Sequence, residues 1–311
     1  MNEIIKAEHL EKIFGDQKAV DNLSFTVHRG ETLGLLGPNG AGKTTTIKML
    51  IGLVKPTRGV AIIGGYNVQQ KPIEAKELFG ISPQELSFDH HLSLIEDLYF
   101  YVRLYGLSRK EAKERVRETL KWARLENHAE KIGYQLSGGM QRRLLMARAM
   151  VTDPPILFLD EPTTGLDPQA RHALWDYILD LKERGKTIIL TTHYLEEAEM
   201  LCDRVIIIDY GKKIAEGTPD ELKHILKVEN ILTIKPRNSI SQRVIEEIKE
   251  FTGVEDAIWH DSSLKIHLKD EYVLELIISR ILKDAGILEM DIKRASLEDV
   301  FLHLTGKELR E

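Results

Sequence analysis

Gly37-Pro38-Asn39-Gly40-Ala41-Gly42-Lys43-Thr44 lies between an apolar run at residues 33–36 and a helical pattern at 45–52. Strand, glycine-rich turn and helix, in that order, form the setting in which such an octapeptide cradles phosphate groups. The glycines let backbone N–H groups turn inward, and the N-terminus of the following helix adds a favourable dipole. Lys43 reads as the countercharge to the β- and γ-phosphates of a nucleotide, and the Thr44 hydroxyl as a ligand of Mg²⁺. Thr45 opens the helix and completes the candidate nucleotide-binding set of residues 37–45. A glycine-rich turn with a surface lysine is the bland alternative, and the flanking elements argue against it.

Outward from this loop, apolar runs at 156–159, 188–190 and 205–208 have the uninterrupted character of strands buried on both faces. Helical patterns at 44–52 and 168–184 join strand candidates in β-α-β order, which predicts an α/β core with a mostly parallel sheet. The run at 156–159 ends in Asp160-Glu161. At a strand end beside the phosphate loop, Asp160 is placed to hold Mg²⁺ through water and Glu161 to polarise an attacking water.

Leu136-Ser137-Gly138-Gly139-Met140 lies between those two elements. With it the chain resembles the ATP-binding cassette (ABC) ATPases, which combine these three motifs in this order. The resemblance extends over roughly residues 3–220 and implies a P-loop NTPase core that takes ATP and Mg²⁺. It also implies that Ser137, Gly138 and Gly139 contact the γ-phosphate of ATP bound to an opposite subunit. Phe14 falls where the family stacks an aromatic ring on adenine. Gln84, in Ile81-Ser82-Pro83-Gln84, resembles the glutamine that senses Mg²⁺. Asp167 resembles the aspartate that bridges subunits, and it is also placed to cap a helix beginning at Pro168. His193, past the strand at 188–190, resembles the histidine that contacts the γ-phosphate. The catalytic set implied is Glu161, His193 and Lys43. Met140 and Gly165 depart from the commonest family pattern, where glutamine and alanine are frequent. Both departures, and the tail Ser296-Leu297-Glu298-Asp299-Val300-Phe301-Leu302-His303-Leu304-Thr305-Gly306, resemble exporters of the drug- and sodium-efflux type. The implied partners are a second ABC subunit, identical or paired, and separately encoded membrane permease subunits.

Residues 86–150 interrupt the α/β alternation with helical patterns at 93–105 and 108–124 and read as an inserted helical subdomain; Ser108 and Glu111 have capping-box spacing. Leu94, Ile95, Leu98, Tyr99, Val102 and Tyr105 spread widely enough to face both a core and a partner helix. A boundary near Gly217-Thr218-Pro219 divides the chain into an ATPase domain, 1–220, and an accessory domain, 221–311. The latter reads β-α-β-β-α-β, with strands at 231–236, 254–259, 264–268 and 287–293, a turn at Asp261-Ser262-Ser263, and a closing helix at 297–304. That order predicts a small α+β ferredoxin-like domain, and because its sequence offers no metal cluster or nucleophile constellation, a dimerisation or regulatory role is expected.

The 311 residues carry a formal charge of −6, divided as 29 basic against 31 acidic up to residue 220 and 14 against 18 beyond it. Neither part is basic, so no nucleic-acid partner is expected. The one cysteine, Cys202, excludes an internal disulfide and a cysteine-rich zinc site. The N-terminus lacks the apolar stretch of a secretory signal, and no apolar run approaches the roughly 20 residues of a membrane helix. The expected location is cytoplasmic, peripheral on the cytoplasmic face of the cell membrane. The alternative is a non-transport ABC ATPase working in a nucleic-acid or protein complex, whose usual long coiled-coil insertions or second cassette are absent.

Overall fold

The computed structural model describes residues 3–306 except 86–88, 90, 227, 229 and 261, so residue 86 of the expected subdomain boundary and Asp261 of the expected turn lie outside the described residues. The chain forms two compact units, one running to Thr218 and the other starting at Pro219.

The first unit comprises β1 (Glu3–Phe14), β2 (Gln17–His28), β3 (Thr32–Leu36), α1 (Lys43–Leu50), β4 (Arg58–Ile63), β5 (Tyr66–Asn67), α2 (Pro72–Lys76) and β6 (Phe79–Ser82). It continues through α3 (Leu94–Leu104), α4 (Arg109–Trp122), α5 (Gly138–Met150), β7 (Ile156–Asp160), α6 (Pro168–Glu183), β8 (Thr187–Thr192), α7 (Leu195–Leu201), β9 (Arg204–Asp209) and β10 (Lys212–Gly217). Six strands make one sheet in the order β10-β9-β3-β8-β7-β6, parallel except for the β9–β10 edge. Every residue of β3, β7 and β8 is buried, as continuous apolar strands covered on both faces must be.

An antiparallel sheet, β2-β1-β4-β5, was not anticipated from the sequence. Its first strand, EIIKAEHLEKIF, turns charges to solvent and apolar residues inward, so half of it reads as a polar surface segment. Helix α1 lies between the two sheets. Ile47 and Met49 join Ile5, Leu10 and Val27 on one side and Leu33, Phe158 and Ile208 on the other in one core.

Helices α3, α4 and α5 form a second core around Leu98, Val102, Val116, Leu120 and Leu144. Ser93 with Glu96, and Ser108 with Glu111, close capping boxes that fix where α3 and α4 begin. Trp122 Nε1 donates to Asp180 Oδ2 at 2.7 Å and ties α4 to α6.

The second unit comprises α8 (Pro219–His224), β11 (Asn230–Pro236), α9 (Gln242–Lys249), β12 (Val254–His260), β13 (Ser263–Leu268), α10 (Leu274–Asp284), β14 (Ile287–Arg294) and α11 (Leu297–Thr305). Its four strands pair antiparallel in the order β12-β13-β11-β14, the ferredoxin-like arrangement. Val244, Ile248, Ile277 and Ile281 pack α9 and α10 on Leu232, Ile234, Leu264 and Ile266. On α11, Leu297, Val300 and Phe301 are buried.

Phe158 is fully buried in the central sheet and edge-on to Phe79 at 5.2 Å, whereas Phe14 is 51% exposed. Phe158→Ala is expected to cost about 3–5 kcal/mol, and Phe14→Ala less than about 0.5 kcal/mol. Urea midpoints followed by circular dichroism check both; equal effects would contradict this core.

Candidate functional site

Parallel register sets Leu36 beside Thr192, Asp160 beside Thr191 and Ser82 beside Leu159. The carboxyl ends of β3, β6, β7 and β8 therefore emerge together, at the edge where α/β sheets place ligands. Residues 37–42 leave β3 and return into α1. A Cβ on Gly37 would sit 2.1 Å from the Ile208 carbonyl oxygen, so the chain can pass there only as glycine. Gly42 has φ +102° and its Cβ would meet the Ala19 oxygen at 2.4 Å. No side chain caps α1, which leaves first-turn N–H groups facing the loop.

Lys43 is only 4% exposed and folds back over its loop. Its Nζ donates to the oxygens of Gly37 at 2.8 Å and Pro38 at 3.1 Å, and lies 3.2 Å from Glu161 Oε1. Burial outweighs the pull of Glu161 and Asp160 and draws the ammonium below its ordinary value. Asn39, Gly40 and Ala41 complete the turn, and Thr45 is half-buried in the first turn of α1.

Asp160 is buried and accepts hydrogen bonds from Thr191 Oγ1 at 2.6 Å and Thr44 Oγ1 at 3.1 Å. Burial pushes its carboxyl up, against the opposing effect of the two hydroxyls. Glu161 takes the left-handed conformation, φ +46°, with its N–H on Thr191 Oγ1 at 2.9 Å. Its Oε2 accepts from Gln84 Nε2 at 3.0 Å and Thr164 Oγ1 at 3.1 Å, with His193 Nδ1 at 3.4 Å. Burial alone would raise this carboxyl, but the His193 ring and the Lys43 ammonium outweigh it and hold it at about 2.

Three contributors escaped the sequence reading. Thr191 and Thr164 orient the two acids, and Arg142 donates to the oxygens of Pro83 at 3.2 Å, Gln84 at 2.7 Å and Thr164 at 3.3 Å. It thereby joins α5 to the segments holding Gln84 and Glu161. Nothing in the local sequence marks Arg142 as buried, because arginines are mostly exposed.

The remaining candidates stand elsewhere. Ser137 caps α5, accepting from Met140 N–H at 3.4 Å, and Asp167 caps α6, accepting from Ala170 N–H at 2.9 Å. Ser137, Gly138, Gly139, Gly165 and Asp167 line a separate depression of about 620 Å³. Phe14 ends β1 in the open, with the Lys12 ammonium 4.8 Å from its ring centroid.

Among the described residues no cluster of three His, Cys, Asp or Glu side chains stands ready to hold a metal. The Thr44 hydroxyl and Asp160 carboxylate are instead paired hard oxygen donors beside a phosphate loop. That suits Mg²⁺, which keeps waters and takes its other ligands from phosphate.

A phosphate loop after β3, an acid-tipped strand two places along the same sheet and the Ser137-capped turn at the start of α5 define a P-loop nucleoside triphosphatase. The family profile described as ABC transporter matches residues 20–164, and that of the ATP-binding protein DrrA1-3-like C-terminal domain matches 217–305. The chain is 40% identical over 320 residues to Nod factor export ATP-binding protein I of Cupriavidus metallidurans, covering 100% of both. To the linearmycin resistance ATP-binding protein LnrL of Bacillus subtilis it is 37% identical over 312 residues, covering 99% of this chain and 100% of that one. A solved ATP-binding subunit of an ABC transporter superposes with a TM-score of 0.65 at 35% identity, over 72% of this chain and 93% of that chain. A bacterial ABC transporter cassette solved as a dimer gives 0.64 at 28% identity, over 69% and 98%. This chain belongs to the ABC transporter ATP-binding proteins and is a nucleotide-binding ATPase subunit.

The folded value of the Glu161 carboxyl, about 2, lies below its ordinary 4.5, so the carboxylate stabilises the fold above pH 4.5 and that contribution fades as the pH falls toward 2. Relative to Glu161→Gln, the parent should lose up to about 3 kcal/mol across this window. Urea denaturation at stepped pH measures it, and parallel profiles for the two proteins would sink the assignment.

Proposed function

We propose that this subunit hydrolyses ATP by in-line attack of water on the γ-phosphorus, with Glu161 as the base. The water oxygen bonds phosphorus, its proton passes to a Glu161 carboxylate oxygen, and the bond to the ADP oxygen breaks, giving ADP and phosphate. Lys43 turns from the Gly37 and Pro38 oxygens to the β- and γ-phosphates and offsets the charge that develops there. His193 and Gln84, already against Glu161 Oε2, hold the carboxylate and face the γ-phosphate. Thr44 and Asp160, with Gln84, would hold Mg²⁺, which would supply charge neutralisation to the phosphates. Residues 37–45 bind the phosphates through backbone N–H groups, and Phe14 packs on adenine. The carrying observation is the buried carboxylate of Glu161 facing Lys43, Gln84 and His193 at the mouth of the phosphate loop.

Two such subunits, identical or paired, close head to tail on two ATP molecules. Ser137, Gly138 and Gly139 of each then meet the γ-phosphate held by the other, and Asp167 bridges between them. Exposure of Ser137 and Gly138, in a depression that shares no lining residue with the phosphate loop, supports this reading. The motor drives membrane permease subunits from the cytoplasmic face, and no helix of the described residues is long and apolar enough to cross a membrane. Ile95, Tyr99, Val116 and Leu120 line an apolar cavity of about 610 Å³ between α3 and α4, which fits a permease segment. Export is the direction supported by relatives named for Nod factor export and linearmycin resistance. Residues 1–220 serve as the ATPase domain, with its helical subdomain at 86–150, and residues 221–311 as the accessory domain.

Glu161→Gln keeps shape but cannot accept the proton, so turnover is expected to fall at least a hundredfold while ATP affinity survives. Light scattering in ATP should show dimer, and in ADP none formed through the signature face. A variant that hydrolyses ATP at the parent rate removes Glu161 from the base role. Lys43→Ala should lose nucleotide affinity, read by calorimetry, and undiminished affinity would overturn the phosphate site. Ser137→Arg should keep nucleotide binding yet lose ATP-dependent closure, and parent-rate hydrolysis would contradict the composite site.

A further inference from the structure

Strand β14 ends its sheet: it pairs with β11 on one side, and among the described residues no strand flanks the other. Each of its eight residues is exposed or half-buried. Pairing sets Ile292 opposite Leu232 and Met290 opposite Ile234, so both share the face on which α9 and α10 lie. They stay 42% and 45% exposed, and Leu288 62%. Arg280 binds Glu247 of α9 at 2.7 Å, which turns that flank of α10 toward α9. Ile278 and Leu282 lie roughly half a turn away at about 100° per residue, on the flank over β14. Leu282 is 55% exposed. An apolar strip built from two elements thus runs along an open strand edge.

Edges of this kind are usually defended by charge. Here the charges are sorted by sign along the strand, Glu289 and Asp291 before Lys293 and Arg294. Such an order is complementary to itself when the strand meets a second copy running the opposite way. A two-fold axis normal to the sheet keeps each residue on its face and must pass through a residue. An axis at Met290 sets Glu289 against Asp291 twice, at Asp291 it sets that acid on itself between two Glu289–Lys293 pairs, and at Lys293 it sets that cation on itself. At Ile292 it places Asp291 opposite Lys293 of the second copy twice, with Ile292 on Ile292 and both α10 flanks on one side.

We infer that β14 pairs antiparallel with β14 of a second copy of this chain about an axis at Ile292, joining the two accessory-domain sheets into one. The inference rests on the accessory-domain reading of residues 221–311. Sedimentation velocity of the full chain in ADP, where the signature face lacks its γ-phosphate, tests it. The parent self-associates; Asp291→Lys weakens association about tenfold or more by turning two attractions into repulsions, and Asp291→Lys with Lys293→Asp restores it. Ile292→Cys forms a disulfide-linked dimer on mild oxidation, the native Cys202 being buried. A parent that is monomeric throughout, or a double variant no tighter than the single one, overturns the pairing. So does a chain ending at Thr218 that associates like the parent, since the contact then lies elsewhere. Loss of ATP binding by that soluble, folded truncation would instead strike the domain division alone.

Discussion

The buried ion pair between Lys43 and Glu161, at 3.2 Å and with both side chains 4% exposed, is the constraint around which the ATPase unit is arranged. Two charges so far from solvent persist only if every remaining donor and acceptor is met. The supply comes from three places, loop carbonyls at Gly37 and Pro38, Gln84 past β6 and Thr164 past β7, while the His193 ring past β8 approaches Glu161 to 3.4 Å. Removing one partner of such a pair strands the other charge, typically at about 3–5 kcal/mol. The same pair therefore draws together side chains from the ends of several strands of the sheet.

Helix α5 links this centre to the outer surface. Its N-terminal cap, Ser137, lies in an exposed depression, and Arg142, little more than one turn later, reaches the backbone around Gln84 and Thr164. One helix thus carries the Ser137 cap in that depression at its tip and a tether to the acid cluster along its side.

The accessory unit obeys a different economy. Its interior is apolar apart from the buried His267, and acids and bases pair nearer the surface, as Arg280 does with Glu247 and Lys249 with Asp256 at 2.7 Å. Its unusual feature is an edge, where apolar side chains and sorted charges stay exposed.

Much of the ATPase core was legible because its signals are local. A glycine loop between a strand and a helix, a continuous apolar run ending in Asp160-Glu161, and capping residues such as Ser108 and Asp167 each act within a few residues of chain. The accessory domain was legible from alternating short apolar patterns. The β1–β2–β4 sheet was not, because a strand solvated on one face resembles a charged loop until its partners are known. The roles of Arg142 and Thr191 were likewise invisible, since their donors reach residues about 20 to 60 positions away, whereas Thr164 reaches Glu161 only three positions away and went unread as an ordinary loop hydroxyl. Sequence by itself determined the chemistry available, a lysine opening α1 and two acids, a glutamine and a histidine at or just past strand ends. Only the tertiary structure decided which of them meet, because parallel register across β6, β7, β8 and β3 is a long-range pairing that no short stretch encodes.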